Sequence, residues 1–126
     1  MTQWLAVAAG GALGAVARFA VVRMSTALLG PAFPFGTLLV NVLGSFAAAL
    51  LYVRLIEQGV ADGTLRALLI VGFLGAFTTF SAFSVETLRL IEDVGPGSAL
   101  LNVLLNLLLC FGACAIGLWI GREYGS

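Results

Sequence analysis

The chain has 126 residues, of which 61% are apolar and 10% are charged, and its six arginines balance six acidic residues to a net charge of zero. Globular domains are about 45–50% apolar and about 25% charged, so this composition excludes an ordinary soluble domain and indicates a protein embedded in lipid. The neutral charge gives no electrostatic reason to expect a nucleic-acid partner, and the absence of histidine removes the commonest metal ligand and proton shuttle.

Four uncharged runs divide the chain, at residues 1–17, 24–53, 67–85 and 94–121. A helix of about 20 apolar residues is long enough to cross the hydrocarbon core of a bilayer. We therefore predict an all-α membrane protein with a single four-helix domain over residues 1–126. Its spans are expected near 4–28, 35–56, 65–91 and 97–121, joined by turns rich in Gly and Pro.

The arginines divide evenly between the two predicted sides of the membrane. The side of the N-terminus has Arg54, Arg66 and Arg122, and the opposite side has Arg18, Arg23 and Arg89. The side with more basic residues usually faces the cytoplasm, so an even division favours neither orientation of this chain. One fixed topology remains possible, but insertion both ways would let two copies pair antiparallel. Because four helices are few to enclose an aqueous path, a dimer is the more plausible functional unit.

The third span contains an unusual run of Gly, Thr and Ser between Gly72 and Ser84. These residues have poor helix propensity, and their hydroxyls can satisfy freed backbone groups. We predict a broken helix near the bilayer centre, of the kind that forms ion sites. An intact helix whose hydroxyls bond back to its own carbonyls is the alternative.

Phe80 and Phe83 lie on one helical face beside these hydroxyls. An aromatic edge carries positive partial charge, so their rings could line a path for a small anion. At this spacing phenylalanines are more often plain packing, and only the surrounding hydroxyls favour the pathway.

Amides in the second and fourth spans need partners at membrane depth. Asn41 has no charged neighbour in sequence, and a polar stripe follows steps of four along the last span at Asn102, Asn106, Cys110 and Cys114. Such a stripe could accompany an ion or could bond neighbouring helices.

The predicted interior is richer in hydrogen-bond donors than in acids. Glu86 is the one acid inside a predicted span, and residues 1–28 contain none, whereas cation routes often use rings of Asp or Glu. A proton-coupled drug exporter would be expected to hold a carboxylate in its first span. The path therefore favours an anion.

Three sequence patterns together resemble the Fluc/CrcB fluoride channels over nearly the whole chain. They are residues 10–19, Gly36-Thr37-Leu38 with Asn41 and Gly44, and residues 75–86 with the Thr-Thr-Phe-Ser-x-Phe-Ser-x-Glu pattern from Thr78 to Glu86. The resemblance implies an antiparallel, dual-topology homodimer with two fluoride pores, in the inner (plasma) membrane of a bacterium.

The resemblance also implies roles for particular residues. Phe80 and Phe83 correspond to pore-lining phenylalanines and Asn41 to the pore amide. Main-chain carbonyls of Gly75 and Thr78 would hold a structural sodium ion at the break. The remaining polar pathway would include Thr37, Ser84, Asn106 and Cys110, with Arg18 at a vestibule and Glu86 at a pore end.

Two residues depart from the family pattern. Ala82 stands where the family usually has Thr, and Cys110 replaces a Ser, so the polar track is thinner here. A thiol is a weaker donor than a hydroxyl. Asn41, Asn106 and both phenylalanines remain, and fluoride passage is still expected.

The predicted function is passive efflux of cytoplasmic fluoride, which would confer fluoride resistance without enzymatic activity. A small dual-topology transporter of another substrate, such as a cationic drug, is the alternative. A non-conducting accessory bundle would explain small residues spaced for helix packing, such as Gly10 and Gly14 four residues apart, but not the hydroxyl run.

Overall fold

The computed structural model describes residues 1–125 and shows an all-helical bundle over that range. Helix α1 is Thr2–Leu29; α2 is Phe35–Leu51 and continues as a π-helix over Tyr52–Glu57; α3 consists of Gly63–Arg66, a π-helix over Ala67–Leu74 and Gly75–Phe77; α4 is Ser81–Asp93; and α5 is Pro96–Glu123. The predicted domain ended at Ser126, which lies outside the described residues.

These elements form four helical segments that are long and apolar enough to span a membrane within the described residues. The first and the last segments are α1 and α5 alone, the second is α2 with its π-helix, and the third in chain order combines α3 with α4. Each segment begins and ends within two residues of its predicted span. The charge spacing thus locates the helices, because charged side chains avoid the hydrocarbon.

The turns explain where the helices stop and start. Gly30 has a φ of 84° and follows the end of α1, and Gly95 has a φ of 140° directly before Pro96 at the start of α5. Glycine adopts such positive φ values without a Cβ clash, and proline fits the first turn of a helix, where its missing N–H costs nothing. The carboxylate of Asp62 caps α3 by accepting a hydrogen bond from the amide of Leu65 at 2.9 Å.

Glycines hold α1 against α3 at backbone distance. A Cβ placed on Gly10 would overlap the carbonyl oxygen of Leu68, and one on Gly14 would overlap the carbonyl oxygen of Phe73. On the other helix, a Cβ on Gly72 would lie 2.8 Å from the carbonyl oxygen of Val7. Because apolar surface gains nothing by leaving lipid, such close backbone approach is what stabilises helix pairs in a membrane.

A second glycine contact joins α5 to α2 and its π-helix. A Cβ on Gly117 would lie 2.6 Å from the carbonyl oxygen of Phe46, and one on Gly121 would lie 2.9 Å from Cβ of Val53. Between the two helix pairs lies a small core of buried Val40, Leu74 and Phe77. The last residue of α3, Phe77, belongs to this core, and the break between α3 and α4 follows it directly.

Candidate ion pathway

The predicted break is present and covers residues 78–80. Thr78 has an extended conformation, with φ of −85° and ψ of 160°, directly after the last residue of α3. Its amide and its hydroxyl both donate to the carbonyl of Leu74, at 3.0 and 2.9 Å. The hydroxyl therefore bonds back as in the intact-helix alternative, but the backbone beyond it leaves the helix.

Asn41 of α2 replaces the missing helical partners of Thr79. The amide of Thr79 donates to Oδ1 of Asn41 at 2.9 Å, and Nδ2 of Asn41 donates to the carbonyl of Thr79 at 3.0 Å. Buried backbone groups without partners are costly, above all in a membrane. The partner that Asn41 requires is thus the broken backbone itself.

Gly75 and Thr78 are among the residues at the break whose main-chain carbonyls lose their usual donors. In a continuous helix the amide of Thr79 would donate to Gly75, but here it donates to Asn41. The amide of Ala82 would donate to Thr78, but it donates to the hydroxyl of Thr79 at 3.1 Å. The carbonyls of Gly75 and Thr78 therefore keep lone pairs that the helix would otherwise use, and both residues line the same cavity.

The amides of the second and fourth spans meet at this point. Nδ2 of Asn41 also donates to Oδ1 of Asn106 at 3.1 Å, so both of its hydrogens have acceptors. Nδ2 of Asn106 donates to the carbonyl and to Oδ1 of Asn102, at 2.9 and 3.1 Å. Asn102 is 1% exposed, and its Nδ2 donates to the hydroxyl of Thr87 at 2.9 Å. Asn106 and Asn102 of the stripe thus join α5 to α2 and to α4 beside the cavity.

The two phenylalanines flank the start of α4 and touch each other. Their ring centroids are 5.5 Å apart and their planes are inclined at 57°. Phe83 is half-buried, whereas Phe80 is 77% exposed on the protomer. Both rings line the same cavity beside the break, and the edge of an aromatic ring carries positive partial charge.

A cavity of about 630 Å³ beside the break brings together most of the predicted pathway. Its lining includes Asn41, Phe80, Phe83, Asn106 and Cys110. Among the described residues, none that lines it is charged. Ser84 is not among those lining residues, and its hydroxyl donates to the carbonyl of Phe80 at 2.8 Å.

A second cavity, of about 560 Å³, lies at the end of the bundle where α2 begins and α4 ends. Thr37 and Glu86 both line it, and the Thr37 hydroxyl donates to Oε1 of Glu86 at 2.9 Å. Thr37 is one helical turn before Asn41 and Glu86 is three residues after Phe83, so both helices continue from one cavity to the other. Both α2 and α4 therefore contribute lining residues to each of the two cavities.

Arg18 is not among the described residues that line either cavity, and its place at a vestibule stays a prediction. In the part of the chain that the structure describes, the arginine that lines the second cavity is Arg89, accompanied by Asp93. The sequence reasoning missed Arg89 and Asp93 as lining residues of this cavity and Thr87 as the partner of Asn102. The spacing of four from Phe83 to Thr87 was a usable signal, since it places them on one face of α4.

The comparisons with known proteins agree with one another. The family model described as CrcB-like protein, Camphor Resistance (CrcB), matches residues 5–118. A protein of Magnetococcus marinus named fluoride-specific ion channel FluC is 50% identical over 92% of this chain and 94% of its own length. Proteins of the same name from Alteromonas mediterranea and Hydrogenovibrio crunogenus are 50% and 45% identical, covering 93% and 98% of this chain and 89% and 94% of their own lengths. The chain belongs to the CrcB-like family.

Proposed function

We propose that the chain forms a fluoride-selective ion channel through which cytoplasmic fluoride leaves passively, down its electrochemical gradient. The observation that carries this proposal is the cavity beside the break, where two amides, a thiol and a pair of phenylalanine rings meet and no described lining residue is charged. The relatives named as fluoride-specific ion channels support the same function. The activity is transport, and no chemical step is involved.

In this mechanism the ion exchanges its hydration shell for a sequence of weak donors. Both hydrogens of Asn41 Nδ2 have protein acceptors, so fluoride in the cavity would share one of these hydrogens with Oδ1 of Asn106 in a bifurcated contact. The edges of Phe80 and Phe83 and the thiol of Cys110 would supply further weak contacts. An ion that is bound weakly at several sites can also leave, as conduction requires.

The functional unit in this proposal is an antiparallel homodimer. Phe80 is exposed on the protomer, and Gly75 and Thr78, whose carbonyls lack their helical donors, line the same cavity. Lipid cannot satisfy polar groups at that depth, so a second copy of the chain is the cover that we propose. The even division of the arginines supports oppositely oriented partners. A C-terminal reporter should then be found on both sides of the membrane, and a reporter found on one side only would refute dual insertion.

The carbonyls of Gly75 and Thr78 fit a structural sodium ion at the dimer interface. Residues 1–125 contain no cluster of three His, Cys, Asp or Glu side chains that could hold a metal, but carbonyls freed by an unwound helix are ligands that suit Na⁺. The bound ion would supply positive charge that holds the two breaks together. Replacing Na⁺ with a large organic cation should therefore destabilise the dimer, which size-exclusion chromatography would detect.

The proposed location is the bacterial inner membrane, where efflux would confer fluoride resistance. The decisive experiment measures fluoride release from liposomes that contain the purified protein, with a potassium ionophore to balance charge and protein-free liposomes as the control. Rapid release of fluoride with retention of chloride is expected. No release above the control, or proton-coupled uptake of a cationic dye, would refute the channel and favour a transporter of another substrate.

A further inference from the structure

Five hydrogen bonds link the break to the middle of α4 through the side chains of α2 and α5. We name this set the amide relay; its members, in order of donation, are Thr79, Asn41, Asn106, Asn102, Thr87 and Phe83. Every member except Phe83 donates to the next one. The relay starts at the main-chain amide of Thr79 and ends at the carbonyl of Phe83, which accepts from the Thr87 hydroxyl at 2.6 Å.

The direction of donation is fixed at both ends by the backbone. At the first end, Thr79 presents an amide and a carbonyl to Asn41, so Oδ1 and Nδ2 of Asn41 cannot exchange places. At the last end, the hydroxyl of Thr87 donates to Phe83, so its oxygen accepts from Nδ2 of Asn102. The amide of Asn102 must then present Oδ1 to Asn106.

The relay encloses the segment that contains both phenylalanines. Its first member lies one residue before Phe80, and its last member is Phe83. Removal of one hydroxyl at Thr87 would leave Nδ2 of the buried Asn102 without this acceptor. An unpaired buried donor is costly, so the Asn102 amide would turn, and Asn106 would lose one of its two acceptors.

We infer that Thr87 and Asn102 are positioning residues for the ion pathway. They act through Asn106 to hold Asn41, and with it the break and the two phenylalanines, in the conducting arrangement. This inference rests on the proposed channel function, and it assigns to the same site two residues that are not among those lining the cavity. Thr87 is half-buried and Asn102 is fully buried, so neither needs to touch the ion.

The test compares variants at one position that differ in hydrogen bonding more than in size. Thr87→Val keeps the shape but removes the hydroxyl, Thr87→Ala removes it and leaves space, and Thr87→Ser keeps it. Fluoride release from liposomes should fall about fivefold in the Val and Ala variants, the factor that corresponds to one net hydrogen bond of about 1 kcal/mol. The Ser variant should conduct like the wild type.

Hydrogen exchange supplies a second readout that does not depend on flux. The amide of Thr79 should exchange faster in the Val and Ala variants than in the wild type and the Ser variant, while amides of α1 keep their protection. Wild-type flux and exchange in both the Val and the Ala variants, or equal losses in all three variants, would overturn the relay. Wild-type protein that releases no fluoride would refute the channel instead, and the exchange data would still decide whether the relay exists.

Discussion

Replacing Asn41 with Asp changes one side-chain nitrogen to oxygen at the point where the break is held. In the wild type, Nδ2 donates to the carbonyl of Thr79 and to Oδ1 of Asn106, at 3.0 and 3.1 Å. An ionised carboxylate cannot donate. Both acceptors would then face a second oxygen, while the bond from the Thr79 amide to Oδ1 would remain.

The size of the effect follows from these contacts. Two net hydrogen bonds of about 1 kcal/mol each would be lost at the break. In addition, a carboxylate about 4 Å from the passing fluoride would raise the energy of the ion by about 4 kcal/mol at an effective dielectric constant of about 20. An increase of that size in the barrier slows passage about 10³-fold. Fluoride flux through Asn41→Asp should therefore be nearly abolished at neutral pH.

Fluoride release from liposomes should be measured at neutral and at mildly acidic pH, with protein-free liposomes at each pH to correct for leakage of neutral HF. Proton uptake by the introduced Asp removes the repulsion and restores one donor, so flux should recover as the pH falls. Gln58→Glu is the matched control. It makes the same change from amide to acid where Nε2 of Gln58 donates to the carbonyl of Gly121, away from both cavities, and it should conduct normally. Wild-type flux in Asn41→Asp at neutral pH would refute our placement of the pathway.

Three further changes test separate parts of the site. Phe80→Ile and Phe83→Ile remove the ring edges and keep an apolar side chain, so fluoride flux should fall at least about tenfold, which corresponds to about 1.4 kcal/mol in the barrier. Size-exclusion chromatography should still show the proposed dimer. Normal flux in both variants would show that the rings serve only in packing. Gly44→Ala places a methyl group against the side chain of the first threonine in the break and should reduce both flux and thermal stability. Gly112→Ala, where nothing lies within 4 Å of the new Cβ, should alter neither, and equal effects of the two would refute a close contact at the break. Cys110→Ser restores a stronger donor to the cavity and should preserve or raise flux, so a loss of flux would show that the thiol itself is needed.

Charge spacing and helix propensity predict much of this fold from the sequence. Helix bounds follow from uncharged runs, and the break follows from the Gly, Thr and Ser residues between Gly72 and Ser84. The π-helices over Tyr52–Glu57 and Ala67–Leu74 were not predicted. A helix that is apolar on all sides carries no periodic pattern, so the sequence does not distinguish one winding from another.

The site is only partly predictable for a different reason. The residue types at membrane depth identify Asn41 and the phenylalanines as candidates, because polar groups there are costly. Which atom meets which is decided by tertiary packing, so the two bonds of Asn41 with Thr79 could not be read from the sequence. The same limit applies to Thr87, whose partner Asn102 is fifteen residues away on another helix, and to Arg89 at the second cavity.

The glycine contacts of α1 with α3 and of α5 with α2 have a consequence for how such a chain is assembled by the cell. Each of these contacts joins two segments of one chain, so none of them depends on which side of the membrane the chain ends face. These contacts would thus contribute the same free energy of folding whether the N-terminus of the chain lies inside or outside. The glycine contacts therefore do not favour one inserted orientation over the other. In the dual-topology dimer that we propose, the proportion of the two orientations would therefore be set when the chain is inserted into the membrane.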